Sequence, residues 1–368
     1  MYFSLEPKTE IEDLYDRKQE LSQLESELVS GRIILLTGIR RIGKTSLLNV
    51  FLELKKQKGN FSIFVDCRIF VKGNVFDSKG FVDYILREIK KLFKESAFKK
   101  LLGSIKNIKL PWLEIGMKET GTKISLPMVL DDLNNLLAKK KKIFIIAIDE
   151  AQNIRLDGKG GIEFLNLLAH AYDHLSNIKL VLTGSEVGVL HDFLKMEDPK
   201  YPLFGRYLSE IKLERFKEEE PINFLVEGFK QVGIKKDLNK IKEAVNILDG
   251  LVGYLVLYGF KVTQKKDFKE ALTDALNTAE QLIKKELKEL FSKSENYKFV
   301  LQAVAYGMET FSKIKEYTVL HTGKINDQTL SNSLKSLVKY SYLEEHFKDG
   351  SKTYVIPDPI VKKVVLNT

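Results

Sequence analysis

Cysteine is almost absent from this chain. Its 368 residues include one cysteine, Cys67, which excludes a disulfide within the chain and is typical of a reducing compartment. No apolar run approaches the ~18 residues that a membrane helix needs. The N-terminal sequence MYFSLEPKTEIEDLYDR has no apolar signal region. We therefore expect a cytoplasmic protein with no membrane partner.

Arginine is missing from Glu295 onward, although the whole chain is basic. The net charge of +9 is carried mostly by lysine. It permits contact with nucleic acid, and it also fits a solvated lysine-rich surface. From Glu295 to the last residue, 10 Lys oppose 8 Asp plus Glu, which leaves a net charge of +2. That is a weak electrostatic footprint for DNA.

Short apolar runs separated by helix-like stretches dominate the first part of the chain. Strands are expected at residues 33–37, 62–66, 143–148 and 179–182. Because these runs do not alternate with polar residues, they predict an α/β fold with a parallel sheet covered by helices on both faces. Between the second and third runs, the alternation in residues 110–126 is consistent with a small hairpin.

Helical patterns replace the strand patterns after Glu214. From about Glu295, three helical segments precede two short strands, which is the order of a winged helix-turn-helix. Its recognition helix would span residues 325–339, with polar positions at Thr329, Ser331, Asn332, Ser333, Lys335, Ser336 and Lys339. We expect an ATPase core at 1–215, a helical lid at 216–292 and a winged-helix domain at 293–368.

The segment GIRRIGKT, Gly38 to Thr45, matches the phosphate-loop pattern G-x-x-x-x-G-K-[ST] in full. An apolar strand ends just before it and a helix begins within it, as the motif requires. Lys44 is expected to reach the β- and γ-phosphates, while main-chain N–H groups and the helix N-terminus hold the anion. The expected nucleotide-binding residues are Gly38, Ile39, Arg40, Arg41, Ile42, Gly43, Lys44, Thr45 and Ser46.

Two adjacent carboxylates, Asp149 and Glu150, follow the apolar run IFIIAI. Buried acids at a strand end are costly unless they bind something. We expect Asp149 and the hydroxyl of Thr45 to hold Mg²⁺, and Glu150 to orient or deprotonate the attacking water. A helix N-cap would by itself explain Asp149.

Other polar residues are candidates with open alternatives. Thr183 and Ser185 end the fourth strand and are candidate γ-phosphate sensors, or plain helix caps. Arg206 is a candidate for neutralising charge on the transferred phosphoryl group, in its own subunit or a neighbour's, or forms a surface salt bridge. His170 and His174 have metal-binding spacing but no evident third ligand.

Together these motifs resemble the archaeal ATPase family within the STAND/AAA+ class of P-loop NTPases. LYDRKQEL resembles its F-x-D-R-E-x-E-L segment, which packs near the nucleotide base, and Asp16, Arg17 and Glu20 match that pattern. GIRRIGKTSLL resembles its G-x-R-R-x-G-K-[ST]-S-L loop, and IDEAQ its second motif. The segment YPLFGR, which contains Arg206, resembles its P-L-[FY]-G-R motif. DGLVGYL resembles its lid motif G-G-x-P-x-[YW]-L and points to Gly253 and Tyr254, although Asp249 and Val252 depart from the pattern.

The resemblance implies an ATPase core, a helical lid and a C-terminal winged helix that bind ATP or ADP with Mg²⁺. We expect a slow, switch-like ATPase in which Lys44, Glu150, Ser185 and Arg206 serve catalysis. A nucleotide-responsive DNA-binding regulator is one alternative. A scaffold that binds another protein, or a second copy of itself, is the other.

Overall fold

The computed structural model describes residues 1–93, 126–159, 161–265, 267–348 and 350–368. The hairpin predicted at 110–126 lies outside these residues except for Leu126, which begins a helix. Within them, no helix is both long and apolar enough to cross a membrane.

Five parallel strands form the central sheet. In chain order the strands of the N-terminal part are β1 (Ile33–Thr37), β2 (Phe61–Asp66), β3 (Val71–Lys72), β4 (Val75–Phe76), β5 (Phe144–Asp149), β6 (Ile178–Gly184) and β7 (Ser209–Lys212). The sheet order is β2-β5-β6-β1-β7, and β3 and β4 pair separately as an antiparallel hairpin. Strand β6 therefore lies between the strand that precedes the phosphate loop and the strand that ends at Asp149.

Side chains of the three central strands, β1, β5 and β6, are buried on both faces. Successive residues point to opposite faces, so Ile34 and Leu36 join one hydrophobic cluster while Ile33 and Leu35 join another. Helices must cover both faces to keep these clusters from water, which explains the unalternating apolar runs in the sequence.

In the part of the chain that the structure describes, six helices accompany the sheet. They are α1 (Lys18–Ser30), α2 (Lys44–Gln57), α3 (Ser78–Leu92), α4 (Leu126–Lys140), α5 (Ile162–His174) and α6 (Val187–Leu194). Buried residues of α1 and α2 belong to one cluster, and those of α3, α4, α5 and α6 to the other. The sheet is thus enclosed from both sides, as predicted.

Four helices follow the sheet: α7 (Glu220–Gln231), α8 (Leu238–Leu248), α9 (Val252–Lys265) and α10 (Phe268–Lys293). The remaining elements are α11 (Asn296–Ala305), α12 (Phe311–Thr322), α13 (Asp327–Lys339), β8 (Glu344–Lys348), β9 (Ser351–Val355) and α14 (Pro359–Leu366). β8 and β9 form an antiparallel hairpin, and an isolated bridge joins Thr310 to Thr353. This is the expected order of three helices and a hairpin; the three-domain division stays a prediction.

All four strands predicted for the sheet are present, with ends shifted by at most two residues. Strands β3, β4 and β7 were not expected from the sequence. The sequence of β7, SEIK, does not have the apolar run of the other strands. It buries only Ser209 and Ile211 and exposes the charged residues Glu210 and Lys212, as an edge strand can.

Candidate active site

A cavity of about 600 Å³ opens where β1, β2, β5 and β6 end. The carboxyl ends of parallel strands meet at one sheet edge, so residues distant in sequence converge there. The lining includes the loop residues 40–46, Glu150, Ser185, Arg68, several aromatic side chains near the N-terminus, and Val252 and Gly253 at the start of α9.

The loop between β1 and α2 has the tight conformation that its glycines permit. Gly38 has φ +144°, and a Cβ there would lie 2.8 Å from the carbonyl oxygen of Leu213. Gly43 adopts a left-handed conformation immediately before α2 begins at Lys44. The loop thus presents the N-terminus of a 14-residue helix to the cavity, an arrangement that favours anions.

Lys44 is buried beneath this loop. Its ammonium group donates hydrogen bonds to the carbonyl oxygens of Gly38 (2.7 Å) and Ile39 (3.0 Å). Burial lowers the pKa of Lys44 to about 8, although the carboxylates of Glu150 and Asp149 oppose the shift. An anion in the cavity would add the compensating charge that the buried ammonium lacks.

Asp149 lies under the cavity floor with 1% of its surface exposed. The hydroxyl of Thr45 donates to its Oδ2 at 3.2 Å, and the hydroxyl of Thr183 donates to its other oxygen. Burial raises the pKa of Asp149. A hydroxyl beside a buried carboxylate fits Mg²⁺, which takes oxygen ligands. This ion needs few protein ligands when phosphates and waters supply the rest.

Glu150 is held by Ser185 and Gln152. Its Oε2 accepts hydrogen bonds from the hydroxyl (2.8 Å) and the main-chain N–H (3.2 Å) of Ser185, and from the amide of Gln152 (2.6 Å). Among the described residues, no protein donor contacts Oε1. Glu150 also has a left-handed backbone conformation with φ 52°, which costs energy in a non-glycine residue. These restraints fix a carboxylate at the edge of the cavity.

An aromatic cluster also lines the cavity and was not anticipated from sequence. Tyr15 packs edge-on against Phe216 (5.6 Å between ring centroids) and Phe224 (5.5 Å), and Tyr2 stacks on Phe224 (5.6 Å). Flat apolar rings and a cationic loop in one cavity suit a molecule with a planar base and a phosphate chain.

Two residues of the DRKQEL segment have different positions. Arg17 lines the cavity, but its guanidinium donates to the carbonyl oxygens of Glu214 (2.9 Å) and Ile42 (3.4 Å) and pairs with Glu20 (2.7 Å). It therefore stabilises the phosphate loop by bonding the main chain of Ile42. Asp16 is exposed and does not line the cavity.

The two loop arginines pair with acids of other elements. Arg40 bonds Glu186 at 2.8 Å, next to Ser185. Arg41 pairs with Glu286 of α10 and lies 3.8 Å from Asp358, which caps α14. The loop is thus tied both to the end of β6 and to the C-terminal helices.

The start of α9 touches the loop directly. The N–H of Gly253 donates to the carbonyl oxygen of Arg41 at 2.9 Å, and a Cβ on Gly253 would lie 2.8 Å from the Arg41 side chain. Tyr254 was expected to help bind the base, but it does not line the cavity. Its hydroxyl instead donates to Asp358 at 2.8 Å in a buried contact.

Arg206 does not line the cavity either. Its guanidinium pairs with Asp173 of α5 (2.6 Å) and bonds the carbonyl oxygen of Pro202. The proposed action within its own subunit therefore lacks geometric support, because Arg206 precedes β7 and lies toward the amino ends of the parallel strands, whereas the cavity opens at their carboxyl ends. Action on a neighbouring subunit stays a prediction.

The minor candidates have ordinary surroundings. His170 bonds Asp131 at 2.8 Å, and no cluster of three or more His, Cys, Asp and Glu able to hold a metal occurs in the described part of the chain. Cys67 is fully buried, and burial raises the pKa of its thiol. It therefore contributes to packing.

Comparisons with known proteins agree with this site. Residues 14–258 match the family described as an ATPase domain predominantly from Archaea. A Walker-type ATPase of Pyrococcus abyssi has a similar structure, with 37% identity, a TM-score of 0.85, and coverage of 99% of both chains. The ORC2 protein of Aeropyrum pernix, solved as ADPNP–ADP complexes, shares the fold at 14% identity and a TM-score of 0.61, over 96% of this chain and 93% of that one.

An uncharacterised protein of Methanocaldococcus jannaschii is 24% identical over 358 residues, or 94% of this chain. This chain spans 66% of that relative's length. The family match covers the phosphate loop, the acid pair and the start of α9. The chain belongs to the archaeal family of P-loop ATPases.

Proposed function

We propose that this chain binds ATP with Mg²⁺ in the cavity and hydrolyses it slowly, as a switch. The observation that carries the proposal is the convergence of Lys44, Thr45, Asp149 and Glu150 at one sheet edge. ADP and its ATP analogue are the ligands named with the Aeropyrum pernix structure, and the aromatic cluster supports an adenine nucleotide here.

In the proposed reaction, a water oxygen attacks the γ-phosphorus, and the bond from that phosphorus to the bridging oxygen breaks. ADP leaves with the electron pair of that bond, and Glu150 accepts a proton from the water. Lys44 and the loop N–H groups hold the phosphates. Thr45 and Asp149 would hold Mg²⁺, whose charge, when bound, offsets that of the β- and γ-phosphates.

The contacts of Glu150 leave one carboxylate oxygen open to a water. Its Oε2 accepts from three donors, whereas no donor among the described residues contacts Oε1. Slow hydrolysis suits a switch, in which the lifetime of the bound state matters more than flux. The loop's contacts with Glu286 and Gly253 would carry the change to the helices after β7.

Two variants test this function. Lys44→Ala should abolish ATP binding and hydrolysis, and Glu150→Gln should retain ATP binding while turnover falls by at least about 10²-fold. Glu163→Gln on the exposed face of α5 is the control. Phosphate release and calorimetry measure both steps, and unchanged turnover in Glu150→Gln would refute the assignment.

DNA binding by the C-terminal winged-helix region is a second candidate. It is favoured by the exposed polar residues of α13, including Asn332 and Lys335, beside an exposed hairpin. Against it, Lys339 is paired with Asp192 of α6 and its main chain packs against Gly188. Duplex DNA binding that falls steeply with salt would support it. Binding of another protein or of a second copy would instead change the assembly size with ATP.

A further inference from the structure

We propose that Arg68, and not Arg206, supplies the positive charge that contacts the γ-phosphoryl group from within the same chain. This inference rests on the proposed ATP hydrolysis. Arg68 lines the cavity together with Lys44, Glu150 and Ser185.

The position of Arg68 follows from strand register. Asp66, the last residue of β2, pairs with Asp149, the last residue of the neighbouring strand β5. Arg68 lies two residues after Asp66, in a short 3₁₀ segment, and this position places it beside Asp149 and Glu150. Its Nη2 is 3.9 Å from Oδ2 of Asp149.

A neighbouring carboxylate orients the guanidinium. Asp66 accepts from Nε at 2.9 Å and from Nη2 at 2.8 Å, and it also accepts from the main-chain N–H of Arg68 at 2.9 Å. This bidentate contact fixes the plane of the group. In the described residues, no protein acceptor contacts Nη1, and 63% of the side chain is exposed. The charge is thus anchored yet accessible.

All four arginines that line the cavity have protein partners. Arg17 donates to main-chain carbonyl groups, Arg40 pairs with Glu186, and Arg41 pairs with Glu286. Only Arg68 among these four has its charged end beside both Asp149 and the cavity, as far as the described residues extend.

The chemistry requires such a charge. Negative charge shifts along the phosphoryl oxygens as the bond to the bridging oxygen breaks, and a fixed cation lowers the barrier by opposing it. Because the γ-phosphate is lost on hydrolysis, a cation that contacts it should strengthen binding of ATP more than binding of ADP.

The test compares Arg68→Ala and Arg68→Lys with wild type, and uses Arg87→Ala, an exposed arginine that stacks on Tyr84 of α3, as the matched control. We expect Arg68→Ala to lower kcat by at least about 10²-fold and to weaken binding of a non-hydrolysable ATP analogue at least tenfold relative to ADP. Arg68→Lys should restore part of both. Arg87→Ala should change neither.

Three outcomes decide the matter. If Arg68→Ala weakens the ATP analogue and ADP equally, Arg68 only holds the acid edge in place and the proposal is overturned. If Arg206→Ala alone lowers kcat, the charge comes from Arg206. If wild type neither binds nor hydrolyses ATP, the proposed function itself fails, which Lys44→Ala and wild-type binding reveal separately.

Discussion

At the scale of single residues, the acid pair shows how two adjacent carboxylates acquire different roles. Asp149 is buried beside the hydroxyls of Thr45 and Thr183, whereas Glu150 turns toward the cavity in a left-handed conformation. The strand ends between them: Asp149 faces the two hydroxyl groups, and Glu150 lines the cavity. Environment, more than residue type, decides which carboxylate can act on water.

Ser185 positions Glu150 in this account. Ser185→Ala removes one hydroxyl donor from Oε2 and leaves the main-chain donor in place. We expect kcat to fall about tenfold, equivalent to ~1.4 kcal/mol, with little change in KM. Steady-state kinetics measures both parameters, with Ser292→Ala on the surface of α10 as the control. A change confined to KM would show that Ser185 binds nucleotide instead.

The sequence predicted the phosphate and acid residues of the candidate site because they follow local patterns. Gly38 to Thr45 form one contiguous motif, and Asp149 and Glu150 end an apolar run. Arg68 gave no such signal, because its importance comes from the β2–β5 register. The direction of the Tyr254 side chain gave no such signal either, because it depends on Asp358, more than a hundred residues away.

At the scale of elements, helix α6 is joined to strand β7 by a titratable contact. His191 Nε2 lies 3.2 Å from Glu210, whose carboxylate also accepts from the hydroxyl of Thr37 at 2.7 Å. The hydrogen bond between the two side chains raises the pKa of His191 and lowers the pKa of Glu210. The contact therefore favours charged His191 in the folded state.

This contact makes stability depend on pH in a defined direction. A histidine whose pKa is raised on folding contributes its full stabilisation below its unfolded pKa of about 6.5, and the contribution is lost as pH rises through the folded pKa. We expect the stability difference between wild type and His191→Gln to be larger at pH 6 than at pH 9. Urea unfolding at both values measures it, with His346→Gln on β8 as the control. A difference independent of pH would contradict the contact.

The N-terminal segment is anchored by one side chain. Phe3 is fully buried and packs against Gly228 of α7 and Gly259 of α9, where a Cβ would approach its ring to 2.2 Å. Phe3→Ala should lower the free energy of unfolding by about 3 kcal/mol or more, since it leaves a cavity that glycines cannot fill. Chemical denaturation measures this loss. Val29→Ala, at an 86% exposed position, should have almost no effect.

An element could be predicted where its burial produces a recognisable pattern of apolar residues in the sequence. Strands β1, β5 and β6 are buried on both faces and give continuous apolar runs, and the edge strand β2 was found because its sequence, FSIFVD, is mostly apolar. β7 was not found, because its sequence, SEIK, has charged residues next to the two that it buries. The aromatic cluster joins Tyr2, Tyr15, Phe216 and Phe224 from separate segments, which no local pattern reveals.

At the scale of the whole molecule, ion pairs and a hydrogen bond connect the phosphate loop to the C-terminal helices. Arg41 reaches Glu286 of α10 and Asp358 at the start of α14, and Asp358 in turn accepts from Tyr254 of α9. The guanidinium of Arg41 also lies over the ring of Tyr254, and that of the neighbouring Arg40 lies over the ring of Tyr342. A change in the loop on nucleotide binding would therefore alter the contacts of three helices together.

Glu286→Gln tests this coupling because it removes the charge that pairs with Arg41. In wild type, we expect ATP to change amide hydrogen exchange in α14, and in Glu286→Gln we expect that ATP-dependent change to be lost. Glu280→Gln is a matched control: it lies on the same helix and pairs with Lys363 of α14 at 2.8 Å, but it does not touch the loop. Equal responses to ATP in both variants would show that the loop contact carries no coupling.

The most direct test of the central claim is a crystal structure with Mg²⁺ and a non-hydrolysable ATP analogue. We predict β- and γ-phosphates within hydrogen-bonding distance of the Lys44 ammonium and the loop N–H groups, with the metal on Thr45 and next to Asp149. The adenine should lie against Tyr15 and Phe216. A nucleotide bound elsewhere, with the Lys44 ammonium still on the carbonyl oxygens of Gly38 and Ile39, would contradict the account.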